Sequence, residues 1–339
     1  MKYIKIAHLA LLAVIALSFS ACEEDKDPKQ AEFKLPSQEI RKIEIDGNGV
    51  KWIATAKGLV KLDDKEWTVF KDNELLTQTP IEELAFSNAS GKNELWLGSS
   101  KGVSWFDYTA DLVNPMTTYR AQEGGLLDDN VSAIDIDSQN VKYIGTSKGL
   151  SILKETKWVQ FMGSRNEEIL STYKISAIAT AADGHIYAAT EGGGVTSFKY
   201  TDAVSGATTF HQPWSADLMS DTVYTVIVVD ENHQWYGTNR GAALHTSAYA
   251  KADWTPYTRL DGLICDSVYA IGKDTKGQVW FGTHKGVSML KDTTWQSFTT
   301  KEGLIDNKIN TLAVDKDGSV WFGTDKGISH YNNGQWINY

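Results

Sequence analysis

One eight-residue phrase sets what this chain can fold into: Val320-Trp321-Phe322-Gly323-Thr324-Asp325-Lys326-Gly327. Its pattern occurs seven times. An aromatic is followed two residues later by Gly or Ala, three later by Thr or Ser, and six later by Gly. The aromatics are Trp52, Trp96, Tyr143, Tyr187, Trp235, Trp280 and Trp321, spaced 41 to 48 residues apart. A period in this range means stacked supersecondary units, and it decides the architecture before any other signal. The chain has 339 residues, long for a single core, but a ring of repeats escapes that limit because each unit buries only its neighbours.

The unit from Asn130 to Phe161 shows the local logic. Val131 to Ile136 is a β-branched run and reads as strand A; Asp137 to Asn140 is a polar turn. Val141 to Thr146 is strand B, Ser147-Lys148-Gly149 a tight turn with Gly available for positive φ, and Leu150 to Leu153 strand C. After a second turn, Trp158 to Phe161 is strand D. Four short antiparallel strands joined by tight turns make one propeller blade. Strand D carries its own periodic signal, closing on Phe70, Tyr119, Phe161, Phe210, Tyr257, Phe298 and Tyr339. Trp stands three residues earlier in five units, at Trp67, Trp158, Trp254, Trp295 and Trp336, with Met116 and Ala207 in the other two.

Strand B has a packing reason. Side chains alternate faces with period two, so the aromatic and the residue two later share one face. That second residue is Ala54, Gly98, Gly145, Ala189, Gly237, Gly282 or Gly323, never larger than a methyl group. The expectation is that a bulky group of the adjacent blade seats in this hollow. The Thr or Ser that follows (Thr55, Ser99, Thr146, Thr190, Thr238, Thr283, Thr324) is placed to cap the B–C turn, whose Gly is Gly58, Gly102, Gly149, Gly193, Gly241, Gly286 or Gly327.

The predicted fold is therefore all-β, a seven-bladed propeller of four-stranded antiparallel blades over residues 38–339. Each blade is one continuous stretch, so closure rests on face packing of blade seven against blade one. An alternative is that Glu32-Phe33-Lys34-Leu35 adds a strand to the last blade.

The N-terminus reads as an address. A basic start, Lys2 and Lys5, leads into an apolar run from Ile6 to Phe19, too short to span a membrane and right for a signal-peptide core. Phe19-Ser20-Ala21-Cys22 resembles the lipobox of bacterial lipoproteins, with Phe19 where Leu is usual. The resemblance implies a signal peptide over 1–21 and lipidation of Cys22; the competing reading is an ordinary secretory signal cut near Ala21. Glu23-Glu24-Asp25-Lys26-Asp27 is similar to the surface-export signal of Bacteroidetes lipoproteins, or is simply a solvated tether, and 22–37 reads as linker. The expected location is the cell envelope, as an outer-membrane lipoprotein facing the surface or the periplasm.

The repeat itself resembles the two-component regulator propeller. Asp315-Lys-Asp-Gly318-Ser-Val320-Trp321-Phe322-Gly323-Thr324-Asp-Lys-Gly327-Ile328 follows that family's pattern closely. Asp274 to Val287 does so too, and Asp137 to Leu150 does with Tyr143 for Trp. The Gly-Leu loop that precedes it is present as Gly125-Leu126, Gly262-Leu263 and Gly303-Leu304. Such repeats form periplasmic sensor domains of Bacteroidetes hybrid two-component systems, which sense glycan fragments. The resemblance implies a binding propeller without a kinase, with a glycan or oligosaccharide as ligand. The alternative is a protein-interaction scaffold in an envelope complex, and behind it a polysaccharide lyase or hydrolase.

Composition narrows the partners. A net charge of -10 argues against nucleic acid. The B–C turns nonetheless carry Lys57, Lys101, Lys148, Arg240, Lys285 and Lys326, a basic ring that could steer an anionic glycan or merely be solvated turn residues paired with Asp128, Asp129 or Asp306. The longest D–A connections lead into blades four and five and carry Arg165 and Trp214, with His211 at the strand end. Arg120 and Arg259 follow strand-D aromatics on the same side. Arg offers a bidentate fork and Trp a stacking face, so the candidate ligand-binding set is Arg120, Arg165, His211, Trp214, Arg240, Arg259, His284 and Lys285. The histidines show no metal spacing, and Asp315-Lys-Asp317-Gly318 lacks the closing Glu of a calcium loop and reads as an A–B turn. No nucleophile elbow, phosphate loop or dinucleotide fingerprint occurs, so neither cofactor nor enzymatic activity is expected. Cys265 reads as a lone, small buried hydrophobe.

Overall fold

Alternating strands and tight turns build the same four-stranded sheet seven times over. The computed structural model describes residues 34–70, 76, 79–87, 93–109, 116–162, 170, 174–210, 218–246 and 253–339. Leu35–Tyr339 form one unit that contains seven four-stranded sheets, each running A to D in chain order. In blade one these strands are Ile40–Ile45, Lys51–Thr55, Gly58–Asp63 and Glu66–Phe70. In blade seven they are Ile309–Val314, Val320–Thr324, Gly327–Asn332 and Gln335–Asn338.

The hollow beside each strand-B aromatic is filled as its chemistry requires. A Cβ added to Gly145 would lie 2.5 Å from Cγ2 of Ile175, the first residue of blade four's strand A. On Gly98 it would lie 2.8 Å from Val131 of blade three, and on Gly282 2.7 Å from Ile309 of blade seven. The ring closes by the same device, since a Cβ on Gly323 of blade seven would lie 2.6 Å from Ile40 of blade one. A second belt runs outside it. The strand-D aromatic of one blade meets the strand-D Trp of the next at 5.3 Å (Tyr119–Trp158), 5.8 Å (Tyr257–Trp295) and 5.5 Å (Phe298–Trp336). Tyr339–Trp67 at 5.3 Å carries this belt across the seam. Lys51 completes the closure, bonding Asp315 at 2.5 Å and lying over the Trp321 ring. Among the described residues blades one and seven hold four strands each and pack face to face; Lys34 and Leu35 are in no strand, and Glu32 and Phe33 of the alternative closing strand lie outside the described residues.

The strand-B hydroxyl caps the B–C turn in all seven blades, donating to the turn Gly carbonyl at distances between 2.8 Å (Thr283, Thr324) and 3.2 Å (Ser99). In blade four the turn is one residue longer: Thr190 bonds Gly194, which takes the place assigned from sequence to Gly193. Glycine is required at the regular turns twice over. Gly286 has φ 127°, and a Cβ there would run into the Phe298 carbonyl of strand D.

The A–B turns show a device that the repeat pattern contains but periodicity does not explain. Oδ1 of Asp274 accepts the N–H groups of Lys276 and Gln278, while Oδ2 accepts Trp280 Nε1 at 2.9 Å. Asp137 does the same for its turn and for the Tyr143 hydroxyl. The Asp six residues before the aromatic therefore ties turn to core. Asp315 is taken by Lys51 across the seam, and Trp321 Nε1 is left buried without a partner among the described residues.

Candidate functional site

The centre of the ring is lined by the seven A strands, and each begins with the same irregularity. An apolar residue packs on the preceding blade, and the next to do so comes three positions later: Ile40 and Ile43, Val131 and Ile134, Val268 and Ile271. Strict alternation would put both on one face only at an even spacing. The difference is a β-bulge. The A–B register slips by one residue at this position in all seven blades. A bulged residue leaves the ladder and its side chain is re-aimed.

The seven bulge residues are Arg41, Glu82, Ser132, Ser176, Tyr224, Tyr269 and Asn310. All but Ser132 line a cavity of about 610 Å³ in the channel. They stand at the A-strand starts, on the face of the B–C turns, as the bonds Ala56 N–H to Glu39 O and Ser147 N–H to Asn130 O show. Three of them tie their blade to the first carbonyl of the next. Ser132 donates to Ile175 O at 2.6 Å, Ser176 to Val223 O at 2.5 Å, and Asn310 Nδ2 to Ile40 O at 2.9 Å. The other four divide the mouth into two walls. On blades five and six Tyr224 and Tyr269 stack at 4.7 Å with their planes 24° apart, and Tyr269 is 37% exposed. On blades one and two, across the ring, Arg41 lies between Glu39 at 2.8 Å and Glu82 at 3.6 Å. Its Nε–H is buried and unpartnered among the described residues.

Below the mouth, Lys42 bonds Glu83 at 2.7 Å and Glu44 at 3.3 Å. Burial works against its charge, but Glu83 and then Glu44 outweigh that and hold the ammonium above its ordinary range. Burial pushes the Glu83 carboxyl up to about 7 against the pull of Lys42, with Glu44 adding repulsion. In blade three Asp135 accepts the N–H groups of Ile136 at 2.9 Å and of Thr180 in the next blade at 2.6 Å. Burial still pushes its carboxyl up to about 6, and Glu44 adds repulsion here as well. A second cavity of about 440 Å³, with Glu44, Lys273 and Asp274 in its wall, lies at the other ends of these strands.

Of the described residues singled out in the sequence, only His284 meets this mouth, its ring 6.3 Å from that of Tyr269. Cys265 is buried as expected, at 6% exposure, and its Sγ lies 3.7 Å from both ring nitrogens of His284. Arg240 and Lys285 are exposed turn residues held through backbone N–H bonds to Thr238 and Thr283. Arg259 is exposed, its backbone N–H fixed by Asp266 at 2.7 Å, and Arg120 precedes the single turn Ala121–Glu123 with its side chain packed over Gly102. Arg165, His211, Trp214 and the lipidation candidate Cys22 lie outside the described residues. Within the basic ring, Lys148 pairs with Asp128 at 2.8 Å and Lys326 with Asp306 at 3.2 Å, as the solvated reading of those turns has it. Asp315 to Gly318 is an A–B turn. Among the described residues there is no cluster of metal-ligating side chains, and no helix is long and apolar enough to cross a membrane.

Sequence reading missed the bulge ring. Its signal was present: an apolar pair three apart opening each strand A, with a different residue after the first apolar position in most blades.

The two-component regulator propeller model matches residues 262–285 and 303–326, the loop, strand A and strand B of blades six and seven. Comparison with curated proteins gave no match. Among solved structures, the chain is similar to one described as the extracellular domain of a hybrid two-component system, BT4673, from B. thetaiotaomicron. That likeness has a TM-score of 0.68 at 19% identity over 89% of this chain and 39% of the other. PorZ, described as an essential bacterial surface component of the type-IX secretion system of Porphyromonas gingivalis, has a TM-score of 0.67 at 16% identity over 87% of this chain and 46% of its own. Virginiamycin B lyase from Staphylococcus aureus has a TM-score of 0.64 at 10% identity, over 85% of this chain and 92% of its own. At these identities the likeness is one of fold. The chain spans less than half the length of the first two.

Proposed function

We propose that this chain is an extracytoplasmic β-propeller binding module, held to the membrane by a lipid on Cys22, that recognises a glycan or glycan fragment at the channel mouth. The observation that carries the reading is the stacked, solvent-facing Tyr224–Tyr269 pair at the opening of a cavity whose opposite wall holds Arg41 and Glu82. Aromatic faces pack against the apolar faces of sugar rings, and charged or amide groups opposite them orient hydroxyls. Asp135 is held by backbone N–H groups and Glu83 by Lys42, which fixes both carboxyls in the wall of the throat.

Calorimetry against a panel of neutral, amine-bearing and acidic oligosaccharides tests the reading. Binding with Kd in the micromolar range, weakened at least tenfold by Tyr269→Ala, is the expected result. No heat across the panel would end it. For the anchor, incorporation of a fatty-acid analogue should vanish in Cys22→Ala, and persistent labelling would exclude that residue. A protein partner is the second reading, favoured by Leu260, which projects from the loop into blade six at 98% exposure. Loss of such a partner on Leu260→Ser, with oligosaccharide binding absent, would favour it.

A further inference from the structure

We infer that the mouth selects a saccharide bearing a free, protonated amine over its N-acetylated or acidic counterparts, an inference that rests on the glycan reading above. The aromatic and charged walls face each other across one cavity, and the charged wall is short of cations. Its ionisable members are Arg41 and Lys42 against Glu44, Glu82, Glu83 and Asp135. Each cation is already shared by two carboxylates: Arg41 by Glu39 and Glu82, Lys42 by Glu83 and Glu44. Neither guanidinium nor ammonium is left to receive an anion. An incoming uronate or sulfate would meet an excess of negative charge in this cavity.

An ammonium meets the opposite situation. It would face carboxylates on one side and the electron-rich faces of Tyr224 and Tyr269 on the other, where a cation is attracted by the ring quadrupole. Burial is the main reason the Glu83 and Asp135 carboxyls are raised; Glu44 adds a lesser repulsion to both, which a bound cation would relieve. None of the six basic residues of the B–C turns lines this cavity, and Lys148 and Lys326 are paired with Asp128 and Asp306. The neutral sugar body packs on the tyrosines, and the amine supplies the selection.

The test is calorimetry on the full chain with four probes of equal length: a chitosan tetramer, the N-acetylated chitin tetramer, a tetragalacturonate and tetralysine. The chitosan tetramer should bind at least tenfold more tightly than the chitin tetramer. That preference should shrink as salt is raised and should fall several-fold in Glu82→Gln. Equal affinity for the two hexosamine tetramers, or tighter binding of the galacturonate, overturns this inference and leaves the glycan reading standing. Absence of binding to all three saccharides overturns both. Tetralysine binding more tightly than the chitosan tetramer overturns the saccharide assignment in favour of a basic protein segment.

Discussion

Two layers of this molecule, a few ångströms apart, obey opposite rules. In the strand-B layer the seven blades are nearly interchangeable: a ring, a hollow, a hydroxyl and a turn glycine recur with only Trp–Tyr, Gly–Ala and Thr–Ser exchanges. In the strand-A bulge ring, one strand inward, the seven side chains are Arg, Glu, Ser, Ser, Tyr, Tyr and Asn. The first layer must pack against an identical neighbour, so geometry dictates its residues. The second faces the channel, where a bulge takes the residue out of the ladder and re-aims its side chain. The difference teaches that in a closed ring of repeats stability lies in what repeats and specificity in what does not.

Substitutions should separate the layers by the size of their effect. Trp280→Ala removes a buried ring that touches Phe298, Phe322 and Tyr331 and should cost about 3–5 kcal/mol in denaturant unfolding. Gly145→Val drives a branched side chain into Ile175 and should cost about 1–3 kcal/mol or open the ring at that seam. A loss below 1 kcal/mol for either would break the claim that this layer holds the ring together.

The channel should respond to pH with a definite sign. The Asp135 and Glu83 carboxyls titrate at about 6 and about 7 in the fold, above their ordinary 3.8 and 4.5. Between the unfolded and folded values the native state holds protons that the unfolded chain has released. Stability should therefore fall as pH rises from about 4 to about 7, by on the order of 1–2 kcal/mol once solvent in the channel is allowed for. Asp135→Asn should flatten the acidic part of that slope. Below this window the sign reverses, because the carboxyls of Asp128, Asp183 and Asp325 are held low by hydrogen bonds and by Lys148, His185 and Lys308, against the effect of burial. Thermal melts between pH 3 and 8 read both limbs. The smallest expected effect is at the mouth: Tyr269→Ala should change unfolding free energy by less than about 1.5 kcal/mol, the worth of one aromatic pair.

Much of the architecture was legible in the residues. Period, blade number, the strand-D aromatics, the capping hydroxyls and the hollow beside each ring all followed from positions that repeat, because packing against a copy of oneself leaves a periodic trace. Gly193 was misassigned as the blade-four turn residue because an inserted glycine hides inside a Gly-Gly-Gly run. The site was far less legible. Arg240, Arg259 and Lys285 were chosen as basic residues on the face of the B–C turns, yet what the structure fixes in each is the backbone N–H. The mouth residues sit inside strands that read as ordinary inner strands, and only the three-residue spacing of Ile40 and Ile43, or Val223 and Val226, marks the bulge that turns Arg41 and Tyr224 inward.

The division between the layers is tested most directly by Tyr224→Ala/Tyr269→Ala, with unfolding free energy and the chitosan-tetramer isotherm measured on the same preparation. A mouth built for binding predicts stability within about 2 kcal/mol of the parent and affinity reduced at least tenfold. Unchanged affinity, or a variant as unstable as Trp280→Ala, would mean that the tyrosines belong to the packing and that the ligand, if there is one, binds elsewhere.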